Sequence, residues 1–150
     1  MRNTTLVHIE KDGKWLMMHR TKKVNDENHD KWIGIGGKFK DGESPYECAV
    51  RETFEETGLT LLSAKLRGIV TFVSDEWGTE YMFVYTSDAF KGELKECDEG
   101  SLEWIKKEDT LNLPIWEGGR LFLKMLIDNA PFFEMKLVYR GEKLVRHEIR

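Results

Sequence analysis

A chain of 150 residues has the length of one globular domain, and its 40% apolar content is enough to bury a core without disulfides or a structural metal. A third of the residues are charged, yet the signs nearly cancel to a formal −4, which excludes the basic field of a general nucleic-acid binder and leaves a small anion to be met by local positive charge. No apolar run approaches the ~20 residues of a membrane span, the first residues lack the apolar core of a secretory signal, and Cys48 and Cys97 form no CxxC pattern. A soluble cytoplasmic protein with reduced thiols is expected, monomeric or weakly dimeric.

Two alternating runs flank Lys11-Asp12-Gly13, and an Asp-Gly step between such runs predicts a hairpin of strands near Thr4–Glu10 and Lys14–Arg20. The polar, aperiodic stretch Thr21–Lys31 reads as an exposed loop with the composition of a mobile lid. Trp32–Phe39 sets three glycines among apolar residues, as in a short strand followed by a backbone turn that must approach something closely. Ser44-Pro45-Tyr46-Glu47 combines an N-cap serine, proline at the first helical position and the glutamate of a capping box. Gly58 marks the other end, so a helix over Pro45–Thr57 is predicted.

Strand-like runs follow at Leu61–Val73, Glu80–Thr86 and Glu103–Lys106. Leu121, Phe122, Met125 and Leu126 fall at helical spacing within Gly119–Asp128, and a hairpin of Phe132–Tyr139 and Lys143–Ile149 closes the chain around Gly141. Strands on both sides of one well-marked helix predict an α+β fold, a mixed sheet with helices packed on it, in a single domain over residues 1–150.

On the first helix Glu52, Glu55 and Glu56 stand at i, i+3 and i+4, which places three carboxylates on one face. The opposite face, with Tyr46, Ala49, Val50, Thr53, Phe54 and Thr57, is mostly apolar and is expected to be buried, with the acids outward. Clustered carboxylates suit hard divalent ions, Mg²⁺ or Mn²⁺; on the triplet alone, a solvated acidic face is the alternative.

The surroundings decide between these. Gly37, Glu43, Arg51, Glu52, Glu55, Glu56, Gly58 and Leu59 fit the spacing G-x5-E-x7-R-E-U-x-E-E-x-G-U, where U is a bulky aliphatic residue, with Thr53 departing at the first U. Seven fixed letters arise by chance at roughly one in 10⁹ per start position. The pattern resembles the Nudix box, and through it the chain is similar to the Nudix hydrolases. The resemblance implies an α/β/α sandwich with a catalytic loop–helix–loop and a metal-dependent pyrophosphohydrolase, with Mg²⁺ as cofactor and Mn²⁺ able to substitute. It implies that Glu52, Glu55, Glu56 and the Gly37 carbonyl hold the metals and that Glu43 pairs with Arg51 to brace the loop. Arg20 and Lys38 are the cationic candidates for phosphate, with Lys22 and Lys23 behind them. Glu52, Glu56 and Glu99 all remain open as the general base. At Thr53 the methyl is expected to face the core and the hydroxyl to bond back to the preceding turn.

Beyond the box the chain resembles the MutT-like branch that sanitises nucleotide pools, in particular enzymes that hydrolyse oxidised purine triphosphates. This carries through Lys31-Trp32, Asp98-Glu99, Trp104, Trp116 and the closing hairpin. It implies Glu99 as a further metal ligand, Phe72 and Trp116 as stacking partners of a base, and 8-oxo-dGTP as substrate. Two positions depart: Ile33 stands where the family's base-reading asparagine is expected, and Gly118-Gly119 where it carries two aspartates. Ile33 can pack on a base without reading its edge, and Glu117 is the candidate substitute for an aspartate. The expected partner is a small nucleotide, with no long nucleic acid and no membrane. Rival readings are ADP-ribose, a dinucleoside polyphosphate or an RNA 5′ end as substrate, or, in another class, a catalytically idle nucleotide-binding module.

Overall fold

A computed structural model describes residues 1–22 and 27–150. The chain runs β1 (Arg2–Lys11), β2 (Lys14–Arg20), β3 (Trp32–Ile33), α1 (Pro45–Thr57), β4 (Thr60–Leu61), β5 (Lys65–Ser74), β6 (Gly78–Ser87), β7 (Phe90–Lys91), β8 (Gly100–Lys106), α2 (Lys107–Thr110), α3 (Glu117–Ile127), β9 (Phe133–Arg140) and β10 (Lys143–Ile149). The main sheet has the order β10-β9-β5-β6-β1-β2-β3, with β8 also paired to β2; β4 and β7 form a separate two-stranded ribbon. Pairing is parallel between β1 and β6 and between β5 and β9, and antiparallel in the remaining pairs of the main sheet, so the sheet is mixed.

Local chemistry explains the junctions. Asp12 and Gly13 both take positive φ, 52° and 75°, as a two-residue turn matched to strand twist requires, and Lys11 faces Lys14 across it. Helix α1 starts on a complete capping box, the Ser44 hydroxyl accepting from the Glu47 N–H while the Glu47 carboxylate accepts from the Ser44 N–H. It ends at Gly58, whose φ of 81° is the left-handed position.

Two apolar layers flank the sheet. Alternation along β2 sends Trp15 and Met17 to a layer shared with Phe122, Leu123 and Leu126 of α3, and Leu16 and Met18 to a layer shared with Ala49 of α1. With a helix on each face the architecture is the expected α+β, α/β/α sandwich. Several boundaries differ from the sequence expectation. The predicted Leu61–Val73 strand is two elements, because β4 turns away to pair with β7 before β5 begins; β8 extends back to Gly100, drawn out by its pairing with β2; and α3 begins at Glu117.

Candidate active site

Segment 34–38 runs beside β1 rather than turning freely, with the Thr5 N–H donating to the Gly37 carbonyl at 3.0 Å and Ile35 exchanging backbone bonds with Val7. The approach is as close as the glycines foretold. A β-carbon at Gly36 would lie 1.8 Å from the Thr5 carbonyl oxygen, and one at Gly37 would lie 2.5 Å from Cδ of Glu52. The bare backbone therefore abuts Glu52, the first carboxylate of the triplet, and its Gly37 carbonyl already accepts from the Thr5 N–H and, at 3.6 Å, from the Cys48 thiol.

The acidic face is not simply outward. Glu52 and Glu56 line a cavity open to solvent, whereas Glu55 has half of its side chain exposed and does not line it. The buried row of α1 is Cys48, Ala49, Thr53 and Thr57; Tyr46 and Phe54, expected inside, are 42% and 55% exposed. The buried arc is thus rotated toward Glu52 and Glu56, which share the i, i+4 row of Cys48, and away from Phe54. The Thr53 side chain is fully buried as expected. Its hydroxyl, however, finds no partner among the described residues; the back-bond is made one turn later, from Thr57 Oγ1 to the Thr53 carbonyl.

Arg51 braces this end of the site. Its Nε and Nη2 donate to the two oxygens of Glu43 at 2.5 and 2.9 Å, its Nη1 to Glu52 at 2.8 Å and Glu55 at 3.1 Å, and its Nη2 to the Lys38 carbonyl at 3.0 Å. The bidentate bond from Arg51, helped by the Lys40 N–H, holds the Glu43 carboxyl down to about 2. Burial pushes the Glu52 carboxyl up. Burial pushes Glu56 up strongly, reinforced by the neighbouring Glu99 carboxylate and opposed by the Gly36 N–H at 3.2 Å. Glu99 also lines the cavity and is bridged by Arg20 at 3.0 Å.

No three acidic, histidine or cysteine side chains among the described residues already converge into a ligand shell. Arg51 and Arg20 instead occupy the oxygens of Glu52, Glu55 and Glu99. The donor set nonetheless fits a divalent cation: hard carboxylate oxygens crowded beside a carbonyl, with the Glu56 carboxyl pushed up by burial and then by its anionic neighbours.

The same cavity, of ≈ 780 Å³, is walled by aromatic side chains. Phe72 stacks on Tyr139 at 4.7 Å, and Trp116 meets Phe72 and Tyr139 edge-on at 5.4 and 5.0 Å. Trp116 is fixed by Asn28, whose side-chain oxygen accepts from the indole N–H at 2.7 Å, and by the Lys31 ammonium 4.5 Å above the ring. Part of the predicted 21–31 loop thus packs on the aromatic wall, while Lys23 and the centre of that loop lie outside the described residues. Arg20, Lys38 and Ile33 also line the cavity.

Glu117 does not. It lies on the exposed side of α3, with its carboxylate 3.5 Å from the Leu144 N–H, so it is not brought to the cavity as a substitute for the missing acids. Gly118 has a steric reason to be glycine. Its N–H donates to the Tyr139 hydroxyl at 2.7 Å, and a β-carbon there would sit 2.4 Å from Leu137 Cδ1 and 2.8 Å from that hydroxyl.

Several cavity residues were not singled out from the sequence, Glu80, Tyr139 and His8 among them. Glu80 is partly buried, which pushes its carboxyl up, and is held by Arg2 at 3.1 Å and the Thr4 hydroxyl at 2.7 Å. Tyr139 is pushed up to about 12 by burial. His8 is buried inside β1, and the available signal was an imidazole at an inward position of the run Leu6-Val7-His8-Ile9.

Residues 1–126 match the NUDIX domain. The chain is 31% identical over 116 residues to the uncharacterized Nudix hydrolase YvcI of Bacillus subtilis, covering 74% of this chain and 73% of that protein. It is 26% identical over 120 residues to the oxidized purine nucleoside triphosphate hydrolase of Danio rerio, covering 79% and 77%. The crystal structure of a MutT protein from Bacillus halodurans superposes with a TM-score of 0.89 at 26% identity, over 99% of this chain and 97% of that one. No helix among the described residues is long and apolar enough to cross a membrane. With the box spacing, the braced acidic helix and these likenesses in agreement, the chain belongs to the Nudix family and is a MutT-like Nudix hydrolase, an enzyme class that works with divalent metal on small nucleotide substrates.

Proposed function

We propose that the enzyme hydrolyses a nucleoside triphosphate to the monophosphate and pyrophosphate, with an oxidised purine nucleotide such as 8-oxo-dGTP as substrate and Mg²⁺, replaceable by Mn²⁺, as the metal. The supporting observation is that one cavity is lined both by Glu52, Glu56, Glu99, Arg20 and Lys38 and by Phe72, Trp116 and Tyr139. A ligand matching it carries a metal-chelating polyanion at one end and a flat aromatic ring at the other.

Glu52, Glu55, Glu56, Glu99 and the Gly37 carbonyl would hold the metal, which when bound supplies a more acidic water and neutralises charge on the phosphoryl oxygens. Arg20 and Lys38 orient the phosphates. A carboxylate oxygen of Glu52, Glu56 or Glu99 takes the water's proton while the water oxygen bonds to phosphorus and the P–O bond of the α,β bridge breaks, releasing pyrophosphate. Arg51 acts through Glu43, Glu52 and Glu55 by fixing their positions.

The test is kcat/KM with Mg²⁺ over 8-oxo-dGTP, the unmodified triphosphates, ADP-ribose and a diadenosine polyphosphate, with product identification. A tenfold preference for 8-oxo-dGTP, with monophosphate and pyrophosphate as products, is expected. Equal turnover of unmodified triphosphates, or a win for ADP-ribose, overturns the substrate assignment.

A further inference from the structure

His8 is 1% exposed, lines the cavity, and neither of its ring nitrogens has a hydrogen-bond partner among the described residues. Buried polar groups are seldom left this way, because a donor or acceptor without a partner costs about 1–3 kcal/mol. Its neighbours offer no partner: the ring lies 5.6 Å from Trp15 and 6.3 Å from Phe122, centroid to centroid, and Leu6, Met17, Phe122 and Leu123 line the cavity around it. Burial with no compensating acid lowers its pKa to about 4, so the imidazole is neutral at ordinary pH.

One edge of the ring abuts a residue that has no side chain to cover it. A β-carbon at Gly34 would lie 2.8 Å from His8 Cε1 and 3.1 Å from Nδ1, and Gly34, which lacks that carbon, itself lines the cavity. A neutral imidazole carries one donor and one acceptor, and either nitrogen can take either role by changing tautomer. Of the other cavity residues, Ile33 has no polar side-chain atom and Gly119 has no side chain.

We propose that His8 is the base-reading residue of this enzyme, its unpartnered imidazole forming the hydrogen bond to the polar edge of a purine seated among Phe72, Trp116 and Tyr139. Because the tautomer adapts, His8 donates to an oxo edge or accepts from an amino edge, and a purine that has neither loses the bond to its exocyclic group and binds more weakly. The inference rests on the nucleotide reading of the cavity.

It is tested without metal or turnover. Intrinsic tryptophan fluorescence, to which Trp32 and Trp116 contribute from the cavity wall, follows titration with the 5′-monophosphates of guanosine, adenosine and unsubstituted purine riboside in EDTA. Wild type is expected to bind the first two at least tenfold more tightly than the third. His8→Leu, close to isosteric and folded by circular dichroism, should bring all three within about twofold, and His8→Asn, which keeps a donor and an acceptor, should restore part of the preference. A preference that survives in His8→Leu overturns the proposal, as does a wild type that shows none, which would mean buried water satisfies the ring. Failure of the nucleotide reading looks different: wild type then binds none of the three and hydrolyses no triphosphate in the metal-dependent assay, and the proposal falls with it.

Discussion

Replacing His8 by leucine makes stability less dependent on pH, by an amount the burial of the ring sets. In the native chain the imidazole titrates at about 4 against 6.5 for the ordinary group. Between these values the unfolded chain holds the proton and the native chain does not, so native stability rises with pH and is lost as pH falls from above 6.5 toward 4. At ~1.4 kcal/mol per unit, the loss reaches about 2 kcal/mol near pH ~5. His8→Leu has no such group. Other titrating residues are common to both proteins and cancel in the difference. Urea unfolding followed by fluorescence should therefore show the advantage of His8→Leu over wild type growing by about 2 kcal/mol between pH ~7.5 and pH ~5 at unchanged m-value. At the higher pH the variant should already be ahead by about 1 kcal/mol, from removing unpartnered polar atoms. A difference that stays within ~0.5 kcal/mol across this range refutes the reasoning, because a native imidazole that protonates as easily as a free one is neither dry nor unpartnered.

The remaining substitutions separate site from scaffold. Glu56→Gln should abolish turnover by about a hundredfold or more while raising the metal-free melting temperature at alkaline pH. Its native pKa is raised by burial and Glu99, so the metal-free fold loses stability as pH rises toward that value, and glutamine has no charge to bury; an unchanged melting curve at high pH counts against the crowding. For the same reason metal binding to wild type should release protons and weaken as pH falls, read by calorimetry in buffers of different ionisation enthalpy, with the release diminished in Glu56→Gln. Gly37→Ala drives a methyl to within 2.5 Å of the Glu52 carboxyl carbon, so metal affinity should fall more than thermal stability. Gly118→Asp meets Leu137 and the Tyr139 hydroxyl and should cost about 1–3 kcal/mol, whereas Gly119→Asp, whose β-carbon comes no nearer than 3.7 Å to Ile115, should leave the melting temperature nearly unchanged.

What the sequence disclosed was what local chemistry determines. Ser44, Pro45, Glu47 and Gly58 signed both ends of α1, and Asp12-Gly13 set the first hairpin, because caps and tight turns depend on a few adjacent residues. The parallel pairings of β1 with β6 and β5 with β9 join strands far apart in the chain and leave no local mark. The same distinction runs through the site. The box spacing singled out Glu52, Glu55, Glu56, Glu43 and Arg51 as candidates, but the rotation of α1 that sinks Glu56 and lifts Phe54 into solvent depends on how the helix seats on the sheet, which periodicity constrains only to within a fraction of a turn.

The two departures from the family pattern take on a physical relation in the fold. Gly118 is not an acid that has been lost from open space: its amide is committed to the Tyr139 hydroxyl, and that tyrosine stacks on Phe72 to form the aromatic wall. An aspartate side chain at 118 would have to displace the tyrosine that builds the wall. Polarity for a base edge then has to come from elsewhere in the cavity, and Ile33 cannot supply it. His8 stands on β1, a strand paired along its length to β6, and its backbone position is therefore fixed more firmly than a loop residue's would be. A single adaptable imidazole on a rigid strand meets oxo and amino edges alike, so the choice between them falls to the rest of the cavity wall. On that argument Gly119→Asp is the substitution to sharpen discrimination: it adds a fixed acceptor to a wall that has room for it, and kcat/KM should rise for bases presenting an N–H toward α3 relative to those that do not. An unchanged ratio between the two kinds of base would place the edge of the bound purine away from α3, and with it the group that reads it.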